Sequence, residues 1–259
     1  MSFEIIDFHT HPFLTEGENI ANHRDFCNMS VENTREIFDS LKISKICGSV
    51  IHARRVEKNW ALMKEMNDVA LKLRDIYGDF YIPGFHVHPE YMEESVAEMD
   101  RMQAAGVNLI GELVPYYEEW SDYSCDNFSV LLDEAAKRNM VVSYHSQGND
   151  AMDEMVKKHK DVILVAAHPG EFDAFMRQLE RFKMSENFYL DISGTGPFRY
   201  GMLRRAIDTV GADRILFGSD YPTCNPAMFV GGVLLDPLIK DSEKEKIFSL
   251  NAKKLLGLK

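Results

Sequence analysis

The sequence predicts an α/β protein of the (β/α)8 TIM-barrel class, on three observations. Eight short runs rich in Val, Ile, Leu, Phe and Ala recur along the 259 residues. They alternate with longer segments whose apolar residues follow helical spacing. The polar residues of chemical interest fall at or near the ends of the apolar runs, where a barrel carries its active site. A barrel of this kind needs about 250 residues. No sequence repeat, low-complexity tract or Pro/Gly-rich linker divides the chain, so one domain over residues 1–259 is expected.

The expected strands are residues 5–9, 45–51, 80–86, 108–114, 141–145, 162–168, 188–192 and 215–218. Several are nearly continuous apolar runs, as in parallel strands covered by helices. The first long helical pattern, residues 57–77, places Leu62, Met66, Val69, Leu73 and Ile76 on one face and stops at Gly78. Residues 91–105 stop at Gly106. Residues 128–138, 151–160 and 172–183 follow, and 202–210 stop at Gly211. Residues 242–256 read as a closing amphipathic helix. Residues 12–29 form a long first loop suited to a lid, with His23 inside it. An open doubly wound sheet is the alternative, but no G-x-G-x-x-G follows the first strand.

Composition excludes several classes of function. The formal net charge of -12 disfavours nucleic acid, which requires clustered Lys and Arg. No apolar run is long enough to span a membrane, and the first residues lack the pattern of a signal peptide. The cysteines Cys27, Cys47, Cys125 and Cys224 are scattered with no C-x-x-C pair, so reduced thiols and a cytoplasmic location are expected. The fourteen methionines mostly follow helical spacing, as barrel-helix packing does.

The chemistry starts at His9-Thr10-His11. Residues i and i+2 of a strand share a face, so two imidazoles there converge on one point, which suits a metal ion. Four further candidate ligands follow at or near strand ends: Glu112, His145, His168 and Asp220. Neutral imidazole and carboxylate suit zinc first, and manganese or iron as well. Asp220 is placed both to touch the metal and to accept a proton, and Glu112 to bridge two ions. As bland alternatives, Asp220 is a turn or cap residue and Glu112 an arginine partner. His86 and His88 repeat the H-x-H pattern after strand 3 and read as pocket-lining or structural. His52, Arg54 and Arg55 follow strand 2, where arginine can hold a substrate carboxylate. Tyr116, Tyr117, Arg199, Tyr221 and Cys224 also follow strands, and His159 sits among lysines on a helix as a solvated residue.

These residues resemble a family. His9-Thr10-His11, Gly111-Glu112, His145, Ala167-His168-Pro169-Gly170, Asp191-Ile192-Ser193-Gly194 and Phe217-Gly218-Ser219-Asp220-Tyr221-Pro222 are similar to motifs of the amidohydrolase superfamily. The nearest branch is the amidohydrolase-related (amidohydrolase 2) group, and residues 251–258 resemble its C-terminal helix. The resemblance implies a barrel of the metallo-dependent hydrolase type. It implies that His9, His11 and Asp220 bind a first metal, that Glu112 bridges, and that His145 and His168 bind a second. In one-metal members the strand-5 histidine joins the first metal and the strand-6 histidine meets the substrate or water. The expected activity is hydrolysis of an amide, ester or lactone in a small, anionic molecule, with Asp220 and His168 catalytic and His52, Arg54, His86, His88, Tyr116 and Tyr221 contacting substrate. The alternatives are a non-oxidative decarboxylase with one metal, a metal-binding barrel that has lost catalysis, and a nuclease, which the charge disfavours. The expected partners are substrate and a second copy in a homodimer, with no membrane and no nucleic acid.

Overall fold

Eight parallel strands follow one another round a single sheet in chain order. They are β1 (Ile5–Asp7), β2 (Ile43–Gly48), β3 (Tyr81–Phe85), β4 (Leu109–Leu113), β5 (Val141–His145), β6 (Ile163–Ala167), β7 (Phe188–Asp191) and β8 (Ile215–Leu216). This computed structural model describes residues 3–21, 29–196 and 199–258. The ring closes through hydrogen bonds between the segments that continue β1 and β8: Phe8 N to Phe217 O at 2.9 Å, Asp220 N to His9 O at 2.8 Å and His11 N to Tyr221 O at 2.7 Å. His23, Cys27 and part of the expected lid lie outside the described residues.

Two apolar clusters explain why this ring is stable. One takes Ile6, Phe8, Cys47, Leu109, Val141, Val165, Tyr189 and Leu216, with Ile82 packed against it. Every strand therefore reaches that cluster directly or through its continuation, which places it inside the barrel. Ala252, Leu255, Leu256 and Leu258 of the chain's end close it from below. The larger cluster lies between the strands and the outer helices. It includes Phe38, Met63, Met66, Leu73, Met99, Met102, Leu131 and Leu179, so the methionines pack as expected.

The helices are α1 (Val31–Ser40), α2 (Trp60–Tyr77), α3 (Met92–Ala104), α4 (Pro115–Glu118), α5 (Asp126–Lys137), α6 (Asn149–Lys158), α7 (Phe172–Met184), α8 (Met202–Val210), α9 (Pro226–Leu234), α10 (Asp241–Glu245) and α11 (Asn251–Leu256). Helix α2 begins three residues later than the spacing suggests. Glu57 adopts a left-handed φ of 55°, and the Asn59 side chain caps the helix by accepting from Leu62 N. The expected closing helix is three segments, α10 and α11 joined by a wider turn over Lys246–Leu250. Helices α1 and α9 are not anticipated by the sequence reading, although each carries a cap. Ser30 accepts from Asn33 N, and Asn225 accepts from Ala227 N before Pro226 in the first turn. No helix among the described residues is long and apolar enough to cross a membrane.

Candidate active site

The ends of the strands bring six side chains together. His9 and His11 follow β1, Glu112 sits on β4, His145 ends β5, His168 follows β6 and Asp220 follows β8. Glu112 lies between two histidine pairs. Its Oε2 is 3.5 Å from His9 Nε2 and 3.4 Å from His11 Nε2. Its Oε1 is 3.0 Å from His145 Nδ1 and 3.3 Å from His168 Nε2. Asp220 Oδ1 stands 3.5 Å from His11 Nε2 and 3.8 Å from His9 Nε2. His9, His11 and Asp220 can enclose one cation, and His9, Glu112 and His168 form a second candidate group.

The hydrogen bonds behind the rings decide which nitrogens face inward. His11 Nδ1 is 3.0 Å from the Ser49 carbonyl, which only accepts, so the proton sits on Nδ1. His9 Nδ1 is 2.9 Å from Asp191 Oδ2 and donates to it. His168 Nδ1 is 3.0 Å from Ser193 Oγ, and that hydroxyl donates to Asp191 Oδ1, so the ring donates to Ser193. Asp191 therefore orients two rings at once, leaving their Nε2 lone pairs toward Glu112. The Nε2 atoms of His9 and His11 are 3.1 Å apart. Two lone pairs at that distance repel unless a proton shared between the rings or a cation lying against both relieves them. Carboxylate- and carbonyl-anchored histidines around open Nε2 positions are the donor set of a divalent metal site, so these residues fit one. Sequence reasoning gave Asp191, Ser193 and Ser49 no role. The Asp191-Ile192-Ser193-Gly194 motif, beginning at the end of β7 on the same rim, was the available signal for Asp191 and Ser193.

Backbone geometry holds this cluster. His168 and Asp220 adopt left-handed φ values of 66° and 63°, uncommon for residues with a side chain and concentrated at functional sites. Gly194 has φ 60°, and a Cβ there would come within 2.3 Å of His168 Nδ1. Only glycine lets the β7 connection pass so close behind that ring.

Electrostatics point the same way. Burial alone would depress the His9 imidazole, but Asp191 and Glu112 outweigh it and raise it well above its ordinary 6.5. His168 is raised too: burial opposes, and Glu112 prevails. Glu112 would be raised by burial but is held well below the usual carboxylate range by His9 and His145. The centre demands positive charge, which protons and metal ions compete to supply. In metal-free protein the protons on His9 and His168 contribute stability that is complete below pH 6.5 and is lost as pH rises through the raised values. Cation affinity runs the opposite way. We expect it to climb through and beyond neutrality, with protons released on zinc binding at pH 7. Calorimetry in two buffers of different ionisation heat reads that release, and a pH-independent affinity would refute it.

The other expected contacts separate. Tyr116 is half exposed, its ring 5.4 Å from that of His145 and 5.9 Å from the Arg55 guanidinium. It lines a chamber of about 340 Å³ with His11, Glu112, His145, His168 and Asp220. Arg54 is exposed, and its carbonyl and that of His52 accept from the Tyr117 hydroxyl. His52 Nε2 has no hydrogen-bond partner among the described residues. Tyr221 is buried between Phe13 and Phe38, sharing a hydrogen bond with Thr34 Oγ1, and does not line that chamber. Cys224 Sγ lies 3.9 Å from Asp220 Oδ2. His159 is buried against Ser129 Oγ and Asp133, whereas its helical position among lysines suggested a solvated ring.

His86 and His88 do not reach the centre despite repeating the H-x-H pattern. Both are fully buried against α4. His86 Nδ1 is 2.9 Å from Glu118 Oε1 and its Nε2 is 2.8 Å from the Val50 carbonyl. His88 Nε2 is 2.9 Å from the Glu118 carbonyl. Glu118 also accepts from Trp120 Nε1 at 2.7 Å. This second cluster ties the ends of β2, β3 and β4 together. We expect Glu118→Ala to lower unfolding free energy by about 3 kcal/mol, because it leaves the buried His86 Nδ1 and Trp120 Nε1 without their acceptor. Cation content should stay unchanged. Denaturant unfolding with elemental analysis checks both.

Comparison with known proteins places this geometry in context. A family model described as Amidohydrolase matches residues 6–258. Among solved structures, 5-carboxyvanillate decarboxylase from Sphingomonas paucimobilis superposes with a TM-score of 0.77 at 13% identity, covering 100% of both chains. A probable 2-pyrone-4,6-dicarboxylic acid hydrolase from Acinetobacter baumannii gives 0.71 at 15% identity, over 98% of this chain and 100% of that one. A dihydroxybenzoic acid decarboxylase from Polaromonas, with bound manganese, gives 0.72 at 14% identity, over 99% and 97%. These likenesses establish the barrel fold. Curated proteins provide no match.

Proposed function

The chain belongs to the amidohydrolase family, and from that premise we propose that it is a hydrolase using two divalent cations, zinc first, on an amide, ester or lactone of a small molecule. The observation that carries this reading is the placing of Glu112, with one carboxylate oxygen toward His9 and His11 and the other toward His145 and His168. A carboxylate so placed suits a bridge between two cations. Bound there, the cations would polarise the substrate carbonyl and bring the pKa of water from about 16 to about 7.

The chain's own residues do the rest. His9 and His11, with Asp220, would hold the first cation, and His145 and His168 the second. Asp191, Ser193 and the Ser49 carbonyl keep three imidazoles in the tautomer that turns Nε2 inward. Asp220 directs Oδ1 at the histidines while Oδ2 lies on the Cys224 side. Oδ2 is the proposed proton acceptor as water attacks, and returns that proton to the leaving group. Tyr116 walls the chamber beside His145.

Decarboxylation around one cation is the second reading, favoured by the Sphingomonas and Polaromonas likenesses. It gives Glu112 nothing to bridge. The test is a panel of amides, esters and lactones beside aromatic and unsaturated acids, assayed with zinc- and manganese-loaded protein. Hydrolysis without CO₂ release is expected. CO₂ release from the acids would overturn the proposal.

A further inference from the structure

We propose that the substrate carries an uncharged apolar substituent, an alkyl chain or a single aromatic ring, seated in a lobe between α9 and a facing wall that includes Ile192, Tyr200 and Leu203. This deepens the hydrolase reading and rests on it. The lobe is an open cavity of about 900 Å³, within the range of small-molecule sites. It is continuous with the inner chamber, because His145, His168, Asp220 and Thr223 line both. A molecule whose reacting carbonyl lies at the histidines therefore has one roomy direction in which to extend.

The chemistry of the walls sets what extends there. Met228, Gly231, Gly232 and Leu235 are spaced i, i+3, i+4 and i+7 and present one face to the lobe. Met228 is 70% exposed and Leu235 77%, as is Tyr200 across the lobe. Ile192, Leu203, Phe229 and Val233 complete the apolar lining. Large apolar side chains gathered round a cavity beside a catalytic centre mark a ligand surface. Helix α9, Pro226–Leu234, contains no charged residue. Arg199 is the one arginine or lysine lining the lobe among the described residues, and its Nε donates to Glu171 Oε2 at 2.7 Å. Asp236 and Asp220 add negative charge. Away from the histidines the lobe thus gives a carboxylate no surplus of positive charge, and the sequence-based expectation of an anionic substrate does not extend to that part of the molecule. The paired glycines leave a notch in the face, since a Cβ at Gly231 or Gly232 meets no atom within 4 Å.

The test is calorimetric titration of zinc-loaded protein with straight-chain hydroxamates from acetohydroxamate to octanohydroxamate, whose headgroup chelates zinc. Affinity should rise about fourfold for each buried methylene, passing about a hundredfold between acetohydroxamate and hexanohydroxamate. In Gly231→Leu, which fills the notch without backbone strain, the ratio of the two affinities should fall toward one. Met228→Asp should reduce it by a second route. Acetohydroxamate binding with a flat chain-length series would overturn this proposal and leave the metal centre standing. A flat series together with a dimer in sedimentation would assign the apolar face to a contact between copies instead. No binding by any hydroxamate would overturn both readings.

Discussion

Asp220→Asn should lower kcat by about a thousandfold, within the 10²–10⁴ that a positioned acid–base group contributes. Cation content should be nearly unchanged. The carboxamide oxygen can take the place of Oδ1, 3.5 Å from His11 Nε2, and remain a ligand. What the substitution removes is Oδ2, an oxygen able to take a proton, on the Cys224 side. The Asp220 amide, which donates to the His9 carbonyl, is untouched, so the closure of the barrel between β1 and β8 persists. Steady-state kinetics with elemental analysis of the same preparation separates the two effects. Near-normal turnover would remove Asp220 from proton transfer. A loss of both cations with the activity would make it a ligand alone.

Glu112→Gln should act on the metals first. It keeps the shape of the side chain and removes the one negative charge set between four imidazoles. The expected cation content falls from two per chain to one, and turnover falls by about a thousandfold, the scale of the several kcal/mol that a cation contributes to the transition state. A further effect follows from charge. Glu112 is among the causes that raise His9 and leads those that raise His168, so both imidazoles should titrate lower in the variant. Proton competition for the remaining cation should then weaken, and its binding should extend to lower pH. NMR titration of the histidines reads that shift directly.

The fold was legible because eight apolar runs and their helices repeat one pattern, and the order of the strands needs no long-range information. The candidate ligands were legible for a related reason: they stand at or near strand ends. Even so, the strand argument for His9 and His11 was incomplete. Strand β1 ends at Asp7, and the segment beyond it is fixed by hydrogen bonds to Cys47 and to the chain after β8. The same H-x-H spacing at His86 and His88 leads to a buried cluster instead, because Glu118 on α4 meets the His86 ring. That difference is tertiary and leaves no trace in the local pattern. Asp191 stands 182 residues from the His9 it orients, which no spacing rule reaches. Helix α9 escaped because PAMFVGGVL has no polar face to give periodicity, although Asn225 and Pro226 signalled its start.

The central claim is that Glu112 stands between two cations. An X-ray experiment at the zinc absorption edge, on crystals of protein loaded with zinc, tests it most directly. Two anomalous peaks are expected, one against His9 and His11 and one against His145 and His168, with a Glu112 oxygen at each. A single peak, or peaks that leave Glu112 without a cation, would contradict it.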